Sequence, residues 1–395
     1  MQYRDVAVPL GAAWSSPFAK WQGSLAEVDS LDLATAVTSR ALADRQIDPA
    51  RFDGIVLGWT VPQKQIFYGA PTLAARLGAA ELSGPMVAQA CATSVAALHA
   101  AAGAISAGAG PQLVVTTDRI SNGPTLSWPS PSAMGGAPVS SHWVLDSFAR
   151  DPWAGAGMLA AAEAVAAEMG VTREELDDLT ALRWEQYAAS LTDDRAFQRR
   201  YQVPVEIPQR RGTLTLEADE GVRPKTRDGI GGLPPAAPDA LHTFASQTHP
   251  ADGAAGAVVT TAAEAREISG EGVVRILGTG FARVAKSRMP QAPVPAALRA
   301  LESAGRSMDD VAAITTHNPF AVNDLWFAQE TGVKPEDMNA YGCSLVFGHP
   351  QGPTGLRSIA ELIETLRLRG GGIGLFTGCA AGDTGAALVL EVADR

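Results

Sequence analysis

The hydrophobic pattern of this 395-residue chain alternates between two periods. Short apolar runs of strand length are followed by longer segments whose apolar residues recur every three or four positions, the spacing of one helix face. Residues 6–10 (VAVPL) read as a strand and 31–46 (LDLATAVTSRALADRQ) as an amphipathic helix. Residues 54–59 (GIVLGW) and 112–118 (QLVVTTD) read as strands, with a helix at 71–79 (PTLAARLGA) between them. The stretch 84–108, GPMVAQACATSVAALHAAAGAISAG, carries Val87, Ala88 and Gln89 as a short strand, then Cys91, then a helix of small residues from Ala92 onward. This alternation predicts a parallel or mixed sheet covered by helices on both faces.

From Ser121 the texture changes. Residues 121–143 are rich in Pro, Ser and Gly and read as irregular. Two polar-faced helices are predicted between 157 and 189, the second capped by Thr172 with Glu175 three residues on. Residues 204–238 read as loop with a basic cluster, Arg210, Arg211, Arg223, Lys225 and Arg227. An insertion of this kind is either functional or a solvated basic surface. The α/β pattern resumes at 254–261 and continues through VVRILGTGFAR, VAAITTHN, GIGLFTG and GAALVLE, with helices near 293–305, 321–331 and 354–369. The order echoes the first half, as a diverged internal duplication would, each half delivering one strand-to-helix crossing to the middle of the molecule. The chain exceeds the roughly 250–300 residues at which one core stops growing. It divides into an N-terminal half (1–120), an inserted loop domain (121–252) and a C-terminal half (253–395).

Composition narrows the function classes. Hydrophobic content of 46% and charge of 18% are ordinary for a globular protein, and 40 glycines with many alanines point to backbone packed on backbone. A net charge of -11 argues against nucleic acid and anionic membranes as partners, while leaving room for a local basic patch that holds a phosphorylated ligand. No apolar run is long enough to span a bilayer, MQYRDVAVPLGAAW has no secretory h-region, and EVADR carries no peroxisomal address. Cys91, Cys343 and Cys379 are an odd number with no CxxC pair. A disulfide framework is excluded, no metal is expected, and a reducing cytoplasm is the expected location.

The candidate chemistry lies at strand ends, where an α/β sheet gathers its ligands. A strand-to-helix turn places Cys91 beside free backbone N–H groups and the positive end of a helix dipole, which favours thiolate. The alternative is a small buried core cysteine. In the second half His317, Asn318, Pro319 and Phe320 end one strand. His349 lies in the glycine-rich turn GHPQGPTGLR, with Gly348, Gly352 and Gly355 around it. Cys379 follows GIGLFTG and precedes Ala380, Ala381 and Gly382. A cysteine nucleophile needs a base, for which His349 is a candidate. A second thiol, Cys379, suits proton movement at carbon. Backbone N–H groups at Cys91 and after Cys379 suit a thioester oxyanion. Taken singly, each of these residues also has a structural reading, a group satisfying a local hydrogen bond.

Together the blocks resemble those of the thiolases, a family that makes or breaks a carbon–carbon bond between acyl groups carried on coenzyme A. The resemblance rests on Cys91 before a small-residue helix, on GHPQGPTGLR matching GHPxGxxGxR, and on CAAGDTGAALVLE in the place of a Cys-x-Gly-Gly-Gly block. GMLAAAEAVAAEMGVTREELDDLTALR resembles the family's loop-domain helices, and SQTHPADGAAGAVV the segment that touches pantetheine, so the similarity covers nearly the whole chain. It implies a five-layer αβαβα fold of two similar halves plus an inserted loop domain. It also implies ping-pong chemistry in which Cys91 takes the acyl group, His349 activates it, and Cys379 is the acid/base at the second substrate's α-carbon. One oxyanion hole would use His349 and a water held by His317, and the other the backbone N–H groups of Cys91 and Ala381.

The departures bear on substrate choice. His317-Asn318-Pro319-Phe320 stands where most thiolases read Asn-Glu-Ala-Phe. Ala381 and Asp383 replace glycines, adding a methyl and a carboxylate near the oxyanion site. Thr248 replaces a serine at a pantetheine contact, and Gly157, where bacterial acetoacetyl-CoA enzymes often carry His, precedes Met158. For coenzyme A the resemblance nominates Arg223, Arg227, Thr248 and Met158. Trp59, Phe67, Tyr68, Trp128 and Trp143 are candidates for an acyl pocket. Acyl-CoA and CoA are the implied substrates, with no tightly bound cofactor. The implied assembly is a homodimer or homotetramer, with a small OB-fold accessory subunit in some branches. The rival readings are a ketosynthase-like condensing enzyme, a catalytically idle CoA-binding subunit and a simple Cys-His hydrolase.

Overall fold

Two sheets face each other across a buried pair of helices, Thr93–Ser106 and Thr354–Leu368, in a computed structural model that describes residues 1–223 and 225–393. Position 224 in the basic segment and the last two residues of EVADR lie outside the described residues. The first sheet runs in the order Ala13–Ser15, Ala251–Val259, Gln112–Arg119, Gly54–Gly58, Met86–Val87, with Ala19–Lys20 also on Ala251–Val259. The second runs Ala7–Pro9, Val273–Arg283, Thr384–Ala393, Gly372–Ala380, Val311–His317. Both are mixed: Gly54–Gly58 is parallel to Gln112–Arg119 and Val311–His317 to Gly372–Ala380, and the other long pairings are antiparallel.

The period-2 alternation of strand side chains builds the layers. In the first sheet Val56 and Val114 face the central helices, while Ile55, Leu57, Leu113 and Val115 face the outer helix Ser30–Asp44. In the second, Phe376, Leu388 and Leu390 face the centre, while Leu375, Ala387 and Val389 pack on Pro293–Ala304 and Ala321–Thr331. The result is the five-layer αβαβα sandwich. The central helices must be thin on the side where they meet: a Cβ on Gly355 would sit 2.8 Å from the Cβ of Ser94. All residues from Thr354 to Leu366 are buried. No helix among the described residues is long and apolar enough to cross a membrane.

The halves repeat one another. With the two-residue strands Ala19–Lys20 and Met86–Val87 and the exchanged Ala7–Pro9 set aside, the first strand of each neighbours the last, then the penultimate, then the second, and the central helix lies between the second strand and the penultimate. Cys91 and His349 therefore precede equivalent helices. The halves also exchange strands. Ala7–Pro9 pairs with Val273–Arg283 in the second sheet, and Ala251–Val259 lies in the first sheet although most of it falls in the stretch read as the C-terminal half. The sequence boundary at 252/253 thus cuts a strand, because that strand's apolar run says nothing about which sheet receives it.

Other expectations shift locally. The strand before Cys91 is only Met86–Val87, and the helix begins at Thr93. The irregular stretch 121–143 contains the hairpin Thr125–Trp128/Val139–His142, and 204–238 contains the hairpin Val205–Pro208/Thr213–Leu216 and the helix Arg227–Gly231. Four-residue strands amid Pro, Ser and Gly leave too short a period to read. Thr172 does cap Arg173–Ser190, in a capping box with Glu175.

The insertion is bolted to the central layer by Arg357. Its guanidinium, fully buried over the Phe347 ring, forms a two-pronged pair with Asp219 at 2.6 and 2.7 Å, and the Tyr187 hydroxyl donates to the same carboxylate. Removing either partner strands a buried charge, at a cost of about 3–5 kcal/mol.

Candidate active site

The Cys91 turn is held by its neighbours. Ala90 adopts a left-handed conformation (φ +45°), which ends the strand and swings the chain toward the helix. The Thr93 hydroxyl locks that turn by donating to the Ala90 carbonyl (2.7 Å) and accepting from the Gln89 N–H (2.8 Å). The half-buried sulfur is left facing His349, whose Nε2 lies 3.1 Å from Sγ.

His349 enters from the other half. Gly348, at φ +91°, has no room for a side chain, since a Cβ would lie 2.7 Å from His249 Nε2. The Nδ1 of His349 bonds the Thr354 hydroxyl at 2.6 Å. When that nitrogen carries the proton, Nε2 presents a lone pair to the thiol. The turn is tied down by Asp118 at the end of Gln112–Arg119. Its carboxylate accepts from the N–H groups of Gly352 (2.9 Å), Thr60 (2.7 Å) and Val61 (2.9 Å) and from the Thr60 hydroxyl (2.9 Å). Asp118 thus joins the first sheet to the histidine turn.

Cys379 lies inside the strand Gly372–Ala380 rather than after it. Its sulfur accepts from Asn323 Nδ2 at 3.3 Å. His317 stacks on His349 with ring centroids 4.0 Å apart and bonds Ser344 Oγ through Nδ1 at 2.8 Å. Its Nε2 is buried without a hydrogen-bond partner. Asn318 is turned away and donates to Asp324 at 2.6 Å. Asp383 also differs from expectation. Its carboxylate accepts from Ser287 N and Arg288 N, both at 3.0 Å, so the added charge holds a neighbouring turn.

Burial decides the protonation states. It pushes the Cys91 thiol up to about 11. The N–H groups of Ala381 and of Cys91 itself pull it down by less, and Asp118 adds to the rise. The helix terminus alone predicts a thiolate, but desolvation wins. Burial also holds His349 well below the usual imidazole range, helped by His317, and lowers His317 to about 3. Cys379 is raised well above the ordinary thiol, first by burial and then by Cys91, against the Asn323 amide. The resting pair is therefore thiol and neutral imidazole. Because the thiolate fraction grows with pH until the pKa is reached, alkylation of Cys91 by iodoacetamide is expected to accelerate about tenfold per unit between pH 6.5 and 9. Intact-mass time courses measure it, and a plateau below pH 8 would mean a resting thiolate.

A cavity of ≈ 300 Å³ opens over this group, lined by Cys91, His349 and Ala381 and walled by apolar Phe148, Met158, Leu159, Met289 and Phe320. Of the nominated CoA contacts, Met158 and Thr248 line it. The Thr248 hydroxyl donates to the Ser344 carbonyl at 2.5 Å. Arg223 is exposed, and neither it nor Arg227 lines the cavity. Arg227 is engaged by Asp178 and the Glu174 carbonyl. None of the aromatic residues expected at an acyl pocket lines the cavity. Phe67 and Tyr68 are 77% and 69% exposed, and Trp143 donates to the Thr60 carbonyl. Sequence reading missed Asp118, Asn323, Ser344 and Thr354. Of these only Thr354, inside GHPQGPTGLR, lies in a block that already stood out.

Models of known families match almost the entire chain: the thiolase N-terminal domain over residues 10–263 and the thiolase C-terminal domain over 271–392. The acetyl-CoA acetyltransferase of Escherichia coli K12 is 30% identical over 379 residues, covering 94% of this chain and 95% of its own. The beta-ketoadipyl-CoA thiolase of Pseudomonas knackmussii is 28% identical over 391 residues, covering 95% and 96%. Among solved structures, the acetyl-CoA acetyltransferase of Bacillus anthracis superposes with a TM-score of 0.91 at 25% identity, covering 99% of both chains. The human mitochondrial 3-ketoacyl-CoA thiolase in complex with CoA shares the fold at a TM-score of 0.89 and 24% identity, covering 98% of both.

Proposed function

The chain belongs to the thiolase family and is an acyltransferase of thiolase type, and from that premise we propose that Cys91 carries the acyl group in a two-step exchange on coenzyme A thioesters. The reaction is the CoA-dependent cleavage of a 3-ketoacyl-CoA or, in reverse, the Claisen condensation of two acyl-CoAs. The observation that carries this reading is the 3.1 Å contact between Cys91 Sγ and His349 Nε2, with the Ala381 and Cys91 N–H groups directed at the same sulfur and Cys379 close enough to be perturbed by it.

In the condensing direction the Cys91 thiol gives its proton to His349 Nε2 as the sulfur attacks the thioester carbonyl. The N–H groups of Cys91 and Ala381 hold the oxyanion. Its collapse breaks the carbon–sulfur bond to CoA, and His349 returns the proton to the departing sulfur. Cys379 acts in its thiolate form, a minor species that burial disfavours and the Asn323 amide relieves, and takes the α-proton of the second acyl-CoA. The resulting enolate, its oxygen held by His349 and a water on His317, attacks the Cys91 thioester, forms the new carbon–carbon bond and frees Cys91 as a thiolate, which takes up the proton that Cys379 had gained. Neutral imidazoles suit this second hole: in the tautomer whose Nδ1 accepts from the Thr354 or Ser344 hydroxyl, each donates from Nε2 without burying a charge.

Met158 and Thr248 on the cavity wall, with Arg223 outside it, are the proposed CoA contacts, and the apolar wall from Phe148 to Phe320 the proposed acyl site. A homodimer or homotetramer is supported by the exposed apolar side chains Phe67, Tyr68, Trp128, Met134 and Val139. A reducing cytoplasm suits the three free cysteines. The test is to offer the purified protein a panel of 3-ketoacyl-CoAs with and without free CoA. Cleavage to two acyl-CoAs only when CoA is present is expected. Thioester hydrolysis alone would indicate a hydrolase, and turnover of malonyl thioesters alone a ketosynthase-like enzyme.

A further inference from the structure

We propose that Cys91, His317 and His349 form a binding site for a soft divalent cation, zinc above all, and that zinc seated there reversibly blocks the acyl-accepting sulfur. Cysteine spacing pointed away from any metal site, but the fold brings together ligands 226 and 258 residues from Cys91. One ligand atom from each of the three residues lies within 4.8 Å of the other two.

The chemistry of the three groups fits. The Nδ1 atoms of both imidazoles are already taken, His349 by Thr354 at 2.6 Å and His317 by Ser344 at 2.8 Å. Such hydroxyl contacts fix the rings as outer partners do in metal sites, and leave Nε2 as the free nitrogen on each. The Nε2 of His317 is the second observation. It is a buried polar atom with no partner on a residue only 1% exposed, stacked against His349. The Ser344 hydroxyl can accept from Nδ1 as well as donate to it, so His317 can offer a lone pair as readily as a proton.

Geometry sets the remaining demand. Zinc bonds sulfur at about 2.3 Å and imidazole nitrogen at about 2.0–2.1 Å, which puts tetrahedral ligand atoms ~3.3–3.7 Å apart. The Cys91 and His349 atoms are already 3.1 Å apart. The widest separation, within 4.8 Å, needs to close by only about 1 Å. Two imidazoles and a thiolate suit zinc better than magnesium or calcium, which prefer oxygen. The fourth position opens on the cavity that Cys91 and His349 line. Binding is a simple exchange without redox change: the Cys91 S–H bond breaks, a Zn–S bond forms, and one proton goes to the buffer. Zinc draws charge from the sulfur, occupies the space in front of it and takes the His349 nitrogen that would receive the proton, so zinc and acyl-CoA exclude each other.

Titrating metal-free protein with cobalt(II) reads the site without any turnover. A sulfur-to-cobalt charge-transfer band that saturates at one equivalent, and is displaced by zinc, is expected. Cys91→Ser should remove the band. His317→Asn should weaken cobalt and zinc binding by about tenfold or more. Cys343→Ser, at a buried cysteine outside the site, should leave both unchanged, and far-ultraviolet circular dichroism checks that each variant is folded. Acylating the wild type beforehand should also abolish the band. The proposal is overturned if the wild type gives no band, or if His317→Asn binds zinc as tightly as the wild type. Because acylation is followed separately by mass, either failure leaves the assignment of Cys91 as acyl acceptor standing.

Discussion

Replacing Cys91 by serine is expected to abolish the acyl-enzyme: after exposure to an acyl-CoA, the intact mass should stay that of the unmodified chain, and CoA-dependent cleavage should fall by about 10⁴-fold or more. The size follows from the site. A serine hydroxyl keeps nearly the same volume and still reaches His349 Nε2, so the turn fixed by Thr93 survives. The imidazole is the weak point, because burial holds it well below its usual basicity, and it cannot draw a proton from an alcohol as it can from a thiol. Serine also loses the soft sulfur that the Ala381 and Cys91 N–H groups attend. Persistence of the mass adduct in this variant would move the acyl acceptor to another residue, with Cys379 the first to examine.

Cys379→Ala is expected to separate the two half-reactions. The acyl-enzyme forms at close to the wild-type rate, since Cys379 touches neither the Cys91–His349 pair nor the Ala381 N–H by hydrogen bond. Carbon–carbon bond formation and cleavage fall by about 10²–10⁴-fold, the usual worth of a positioned acid/base. Single-turnover acylation followed by mass, and condensation followed by chromatography of acyl-CoAs, give the two rates. Alanine leaves the Asn323 amide without its acceptor, so Cys379→Ser is the control that keeps that partner. An equal loss in both half-reactions would assign Cys379 a structural role.

The blocks around Cys91, His349 and Cys379 were legible because each is a strand-to-helix or strand-end signal with unusual small residues beside it. The repeated order of strands was legible for the same reason: apolar runs keep their period wherever both faces are buried. What could not be read was anything requiring two distant segments to meet. Asp118 is one aspartate at the end of an ordinary strand until Gly352, Thr60 and Val61 converge on it. Asn323 and Ser344 acquire a role only when Cys379 and His317 arrive beside them. Desolvation is equally invisible in a sequence, which is why the helix terminus suggested a thiolate where burial keeps a thiol. The aromatic candidates could not be sorted into pocket, core and surface from sequence, because aromatic residues are as useful on a surface as in a pocket, and Phe67 and Tyr68 went to the surface.

The exchanged strands carry a consequence for how the chain reaches this state. Ala7 pairs with Arg275, and Ala13 with Ala257, so the opening residues of both sheets await partners made hundreds of residues later. Neither half closes its sheet from its own segment. During synthesis the first sheet lacks one of its middle strands until residues 251–259 emerge, and Ala7–Pro9 has no edge to join until residues 273–283 follow. Such late, non-local pairing makes folding slow and leaves strand edges open to other chains in the interval. Cutting between residues 263 and 271, where the two family domains divide, keeps the first sheet whole but parts Ala7–Pro9 from Val273–Arg283 and one central helix from the other, so the two pieces are not expected to fold independently. Cys91 and His349, one from each half, are expected to come into register only when the last of these strands has docked.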